Sequence, residues 1–171
     1  DSGRRADGGQ EGSGVSEAGR SVDGRGVVPQ RLRPHHVRSD QVRRTALLDR
    51  IAVSVASLVV LQAPAGYGKS TLLSQLAARG EQPVAWITLD PSDADPVVFV
   101  RHLVRCLSLG GVDVAAAEEL LTAADPELWR SVVPALATAL YGATLSFLLV
   151  VYDLHFATGE SAVLLYRVID M

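Results

Sequence analysis

The stretch Ala63-Pro64-Ala65-Gly66-Tyr67-Gly68-Lys69-Ser70-Thr71 decides how the rest of this chain is read. Gly66 and Gly68 permit positive φ without a side-chain clash, so successive backbone N–H groups can point into one concavity. A helical pattern follows at once, with Leu72, Leu73, Leu76 and Ala77 on one face and Gly80 as its stop. The first N–H groups of such a helix, and its dipole, favour an anion. With Lys69 and Ser70 in place, the segment meets the phosphate-loop pattern G-x-x-x-x-G-K-S/T everywhere except its first position, where Ala63 replaces glycine. In that pattern the lysine reaches the β- and γ-phosphates and the serine hydroxyl binds Mg²⁺. Composition points the same way. The chain has 16 basic residues, and Lys69 is the only lysine among them. An arginine-biased sequence thus places its one compact ammonium where a planar guanidinium would fit badly. Residues 63–71 are the expected nucleotide contact.

The segments on either side supply the context that such a loop needs. Residues 57–62 are a nearly continuous apolar run rich in β-branched side chains, which predicts a strand buried on both faces of a parallel sheet. A second buried strand is expected over 84–89 and a third over 146–152, the third ending at Asp153. Helices are expected over 44–53, 70–79, 96–109 and 115–123. Asp125, Pro126 and Glu127 read as cap, first-position proline and first-turn acid of another helix ending near Gly142, with Pro134 kinking it. A last amphipathic segment runs from Ser161 to the end, with Val163, Leu164, Leu165 and Val168 on its apolar side. Strands alternating with helices define an α/β fold with a parallel β-sheet flanked by helices.

The acid at the end of the third strand completes the expected site. P-loop NTPases hold Mg²⁺ from the far side with an Asp at the end of a buried strand. Asp153 follows Phe147-Leu148-Leu149-Val150-Val151-Tyr152 in that way. Ser70 and Asp153 are therefore the expected metal ligands, and Asp153 the catalytic acid. Leu154 cannot supply the second acid that polarises an attacking water.

Bulk properties set the outer bounds. At 171 residues the chain has room for one domain, on a norm of about 100–200 residues each. The net charge of −3 gives no nucleic-acid surface across the whole molecule. Residues 1–29 carry eight of the 15 glycines and few large apolar side chains, and are expected to be a disordered Gly/Arg-rich tail. The domain is expected over 30–171. Its first part is basic: Arg31, Arg33, Arg38, Arg43, Arg44 and Arg50 with His35 and His36, read as a solvated arm, since no aromatic residue interleaves with the charges. The single cysteine, Cys106, shares a helical face with Phe99, Leu103 and Leu107 and reads as a packed core thiol. The longest apolar stretch falls short of the roughly 18–20 residues of a membrane span. The N-terminal residues are polar, and the expected compartment is the cytoplasm.

Several blocks of residues resemble a known family. Val42-Arg43-Arg44 with Leu47-Leu48-Asp49-Arg50, the loop from Ala63 to Leu72, Val84-Ala85-Trp86-Ile87-Thr88-Leu89-Asp90, and the acidic turn Asp93-Ala94-Asp95-Pro96 resemble the ATPase domain of large LuxR-family transcriptional regulators of the maltose-activator type. These regulators belong to the STAND class of signal-transducing, AAA-like P-loop NTPases, and the resemblance runs from Arg31 to Met171. It implies ATP/ADP with Mg²⁺ as cofactors, and a switch between ADP-bound resting and ATP-bound active states. It also implies that Arg43 or Arg44 lies near the adenine.

Two departures from that family shape the expectation. Its acidic motif is Asp-Asp-x-His, whereas this chain has Tyr152-Asp153-Leu154-His155. Either Asp153 is the metal Asp and the second acid is missing, or Asp153 stands at the second acid and Tyr152 has replaced the first. Under both registers hydrolysis is expected to be weak or absent. The family also continues with further strands, a helical extension, sensor repeats and a DNA-binding helix-turn-helix. The domain is therefore expected to be truncated after the acidic strand, with a partner protein or self-association completing the sheet and no direct DNA binding by this segment. A general P-loop ATPase, a small-molecule kinase fragment and a catalytically inactive interaction module remain the alternatives.

Overall fold

The structure, a computed structural model, describes residues 29–36, 42–54, 58–144 and 146–170. The expectation of disorder for 1–29 lies outside them, apart from Pro29, which opens a 3₁₀ turn, Pro29–Leu32. The architecture is α/β. Strand β1, Val84–Thr88, pairs in parallel with β2, Leu148–Tyr152, in the register Val84↔Leu148 through Thr88↔Tyr152. Parallel neighbours need a long crossover. Here it comprises α3 (Pro96–Leu109), α4 (Ala115–Leu120) and α5 (Val133–Tyr141). Ahead of β1 lie α1 (Thr45–Ala52) and α2 (Lys69–Ala77), and after β2 comes α6 (Gly159–Ile169).

Helix α3 organises the core. Asp95 caps it by accepting from Val97 N–H at 2.8 Å and Val98 N–H at 3.0 Å, and Pro96 supplies a fixed φ at the first turn. Its apolar face, Phe99, Val100, Leu103, Val104 and Leu107, is fully buried against β1 and α6. Cys106 lies on that face with no exposure, as expected of a core thiol. At the end of α3 the chain passes so close to the sheet that a Cβ on Gly110 would lie 2.7 Å from the Cβ of Ala85. That spacing admits only glycine. Leu164 and Leu165 of α6 close the same core, together with Val132 and Leu136.

Four expectations are corrected. Residues 58–62 form no strand, and Leu58, Val59 and Val60 are exposed. An apolar run becomes a buried strand only where partner strands take its backbone N–H and C=O groups. Among the described residues β1 and β2 pair only with each other, and the sheet has two strands. Next, the helix expected from Pro126 begins later: Leu128–Val132 forms a π-type turn that runs into α5. Pro126 and Leu128 are instead drawn into the interior. Pro134 has no N–H to bond a carbonyl one turn back, which accounts for the widened turn just before it. Val163, expected on the apolar side of the last segment, is half exposed, because Leu164, Leu165 and Val168 take the buried face of α6.

The fourth correction concerns the basic arm. Arg31 is not solvated: it donates to the carbonyl of Thr88 at 2.8 Å and pairs with Asp90 at 3.2 Å and with Asp93. Leu32 beside it is buried in the core. The arm is thereby fastened to the end of β1.

Candidate functional site

The loop at 63–71 has the backbone that its glycines predicted. Gly66 and Gly68 have φ of +81° and +77°, values that side-chain-bearing residues rarely adopt. Gly68 precedes the first residue of α2 and contributes no capping side chain. The first intrahelical bond there runs from Leu72 N–H to Gly68 C=O at 2.9 Å. The N–H groups of Lys69, Ser70 and Thr71 therefore have no carbonyl earlier in the helix, which is the arrangement that receives an anion. The Lys69 ammonium spans the loop, donating to the carbonyls of Ala63 at 2.6 Å and Pro64 at 3.0 Å.

A cavity of about 400 Å³ opens on this loop. Gly68, Lys69, Arg44 and Arg50 line it together with the apolar Leu47, Ile51, Val60 and Leu72. The Arg44 guanidinium reaches over the loop, so that a Cβ on Gly68 would lie 3.2 Å from its Nη2. Arg43 is exposed and does not line the cavity, which separates the two arginines that the sequence treated alike. Tyr67 stands exposed at the rim. A lining that mixes cationic and apolar side chains suits a ligand with an anionic part and an apolar part.

Arg44 is held in place by a residue that the sequence did not single out. Gln75, buried on α2, accepts from Arg44 N–H at 3.3 Å through Oε1 and donates to Val42 C=O at 3.1 Å through Nε2. A second tie joins the same two elements, Arg79 to Asp49 at 2.6 Å. No local pattern marks Gln75, because both its partners lie some thirty residues earlier in the chain.

The end of β2 meets the loop through Tyr152. Its hydroxyl lies 2.7 Å from the hydroxyl of Ser70. The His35 ring rests against both Tyr152, centroids 5.8 Å apart, and Trp86, 6.0 Å apart. Asp153 follows in a left-handed turn, φ 57°, partly exposed, and its carboxylate has no partner among the described residues. No group of three or more His, Cys, Asp or Glu side chains able to hold a metal occurs among the described residues. Thr71 lies in the first turn of α2, and Ala65 is exposed on the loop.

A second polar cluster lies just beyond the C-terminal end of β1. Asp93, without exposure, faces the His102 ring at 2.7 Å and accepts from Asp90 N–H at 2.8 Å, with Arg31 on the same carboxylate. Burial pushes the Asp93 carboxyl up, but His102, the Asp90 N–H and Arg31 together hold it below its ordinary value. Fully paired in this way, the cluster fastens the arm, the acidic turn and α3 to one another.

The fold and site together describe an α/β chain in which a glycine loop opens a helix beneath the end of a parallel strand. No protein-family model matches it. Over 88 residues, 48% of the chain, it is 35% identical to the HTH-type transcriptional regulator MalT of Serratia proteamaculans. It is 34% identical over 84 residues to the regulator of that name from Yersinia enterocolitica, and 32% identical over 96 residues, 56% of the chain, to that of Cronobacter sakazakii. The chain is thus MalT-like over about half its length, and it spans about a tenth of the length of these curated relatives. No described helix is long and apolar enough to cross a membrane.

Proposed function

We propose that this chain is the nucleotide-binding portion of a cytoplasmic, MalT-like transcriptional regulator of the LuxR family and STAND class, taking ATP or ADP on the loop at 63–71. The observation that carries the reading is the opening of α2. Two positive-φ glycines lead into a helix whose first N–H groups have no helical partner, and the chain's only lysine lines the adjoining cavity. The phosphates would lie on the N–H groups of residues 66–71, with Lys69 exchanging its loop carbonyls for phosphate oxygens. The base would lie toward Leu47 and Ile51, under Arg44. An adenine ring suits those apolar side chains, and a guanidinium can stack on its face.

Turnover is proposed to be weak or absent. An attacking water needs a carboxylate to orient it, and Asp153 is the one acid at the end of β2. Ser70 and Asp153, the expected magnesium donors, make no contact with each other: the Ser70 hydroxyl meets that of Tyr152 instead. A kinase reading needs a basic lid over the acceptor, and after β2 the described chain offers only His155 and Arg167 as basic side chains. A catalytically inactive interaction module is favoured over the kinase by one contact, that of Ser70 with Tyr152.

The test is calorimetric titration of the chain with ATP and ADP, alongside Lys69→Ala and Lys69→Arg. Saturable binding lost in both variants supports the reading. Equal affinity in all three proteins, or no binding by the folded chain, overturns it. Steady multiple-turnover hydrolysis would overturn the proposal of weak catalysis alone.

A further inference from the structure

The contact between Ser70 and Tyr152 is built by the fold and is not an accident of a loose surface. The β1–β2 register sets Tyr152 opposite Thr88, the last residue of β1. Trp86 Nε1 donates to the Thr88 hydroxyl at 3.0 Å, and the His35 ring bridges Trp86 and Tyr152. The phenol is thereby held where its hydroxyl reaches the first turn of α2, 2.7 Å from Ser70 Oγ.

A hard dication such as Mg²⁺ selects oxygen donors that carry charge, above all carboxylates. A phenol offers one neutral oxygen, which can donate a hydrogen bond to an anion. The strand's last side chain, not that of the residue after it, is the one that meets Ser70. Asp153 itself takes a left-handed conformation, φ 57°, and makes no hydrogen bond to Ser70.

Resting on the nucleotide reading above, we propose that Tyr152 fills the position opposite Ser70 that a metal-binding carboxylate would need, so that this chain captures nucleotide without a divalent cation. The paired hydroxyls of Ser70 and Tyr152 present a hydrogen-bond donor toward the phosphates. Lys69 and the N–H groups of the loop then carry the neutralisation that a metal would otherwise share.

The experiment is titration of the chain with ADP in EDTA and again in excess Mg²⁺. Dissociation constants agreeing within about threefold are expected; tightening by about tenfold or more on adding Mg²⁺ would overturn the proposal while leaving the nucleotide site standing. Tyr152→Asp restores a carboxylate facing Ser70, and ADP binding by this variant is expected to become magnesium-dependent by about tenfold. A folded Tyr152→Asp protein that stays indifferent to Mg²⁺ counts against the proposal. Tyr152→Phe removes only the hydroxyl and covers the case in which the aspartate variant does not fold. Its binding is expected to weaken and to remain indifferent to Mg²⁺, and a gain of magnesium dependence in it would also overturn the proposal. No ADP binding in either buffer would sink the nucleotide reading and this inference together, an outcome distinct from the others.

Discussion

The carboxylate of Asp93 and the imidazole of His102 lie 2.7 Å apart in the interior, joining the acidic turn after β1 to the middle of α3. Arg31 closes the cluster from a segment 62 residues earlier than Asp93. A buried carboxylate with three kinds of partner is stable where it is, and removing the carboxylate leaves the others unpaired in a dry environment. Asp93→Ala is therefore expected to cost about 3–5 kcal/mol of unfolding free energy, measured by urea denaturation. A loss under about 1 kcal/mol would show that the cluster is not a fastening.

The same cluster sets an acid limit on stability. Asp93 and Asp90 both titrate below the ordinary value of 3.8, burial opposing this and hydrogen bonds and Arg31 prevailing. A carboxyl lowered in the folded state contributes stability that is complete above its unfolded value and is lost as pH falls through its folded value. The melting temperature should accordingly decline as pH is taken from 5 to below about 3.8. In Asp93→Asn the decline over that interval should be shallower. An identical slope in both proteins would count against the assignment.

Gly110 packs directly against Ala85. Since a Cβ on Gly110 would stand 2.7 Å from that of Ala85, Gly110→Ala forces α3 away from β1. Overpacking of this kind costs about 1–3 kcal/mol. The double change Gly110→Ala with Ala85→Gly removes the clash and should recover part of the loss in a thermal melt.

Gly66 and Gly68 both need positive φ, but only one of them is crowded. A Cβ on Gly66 meets nothing within 4 Å, whereas one on Gly68 meets the Arg44 guanidinium. Alanine at either position strains the backbone by about 1–2 kcal/mol. Gly68→Ala should in addition displace Arg44, so nucleotide affinity is expected to fall more in this variant than in Gly66→Ala. Equal losses in a titration would remove Arg44 from the site.

Cys106 is the one cysteine, and burial pushes its thiol up to about 12. Since the thiolate is the reactive form, alkylation of the native chain at pH 8 should be slow and should accelerate in urea in step with loss of helical signal. Rapid labelling of the folded protein would contradict its place on the inner face of α3.

Much of this protein follows from local chemistry alone. Positive φ at Gly66 and Gly68, the cap at Asp95 with Pro96 behind it, and the apolar stripe of α3 depend on residues a few positions apart. The positions of β1 and β2 are legible for the same reason, as short apolar runs. Contacts between distant segments are a different matter, because no local pattern states which partner is present. Residues 58–62 have the composition of a buried strand, yet among the described residues no strand pairs with them. Arg31 reads as a surface charge until Asp93 is brought to it. The sequence allowed two registers for Asp153, as the first acid of the motif or as the second with Tyr152 in place of the first. Only the tertiary structure shows that Tyr152, the last residue of β2, is the one whose hydroxyl meets Ser70, because that contact joins residues 82 positions apart and strand register determines which side chains share a face.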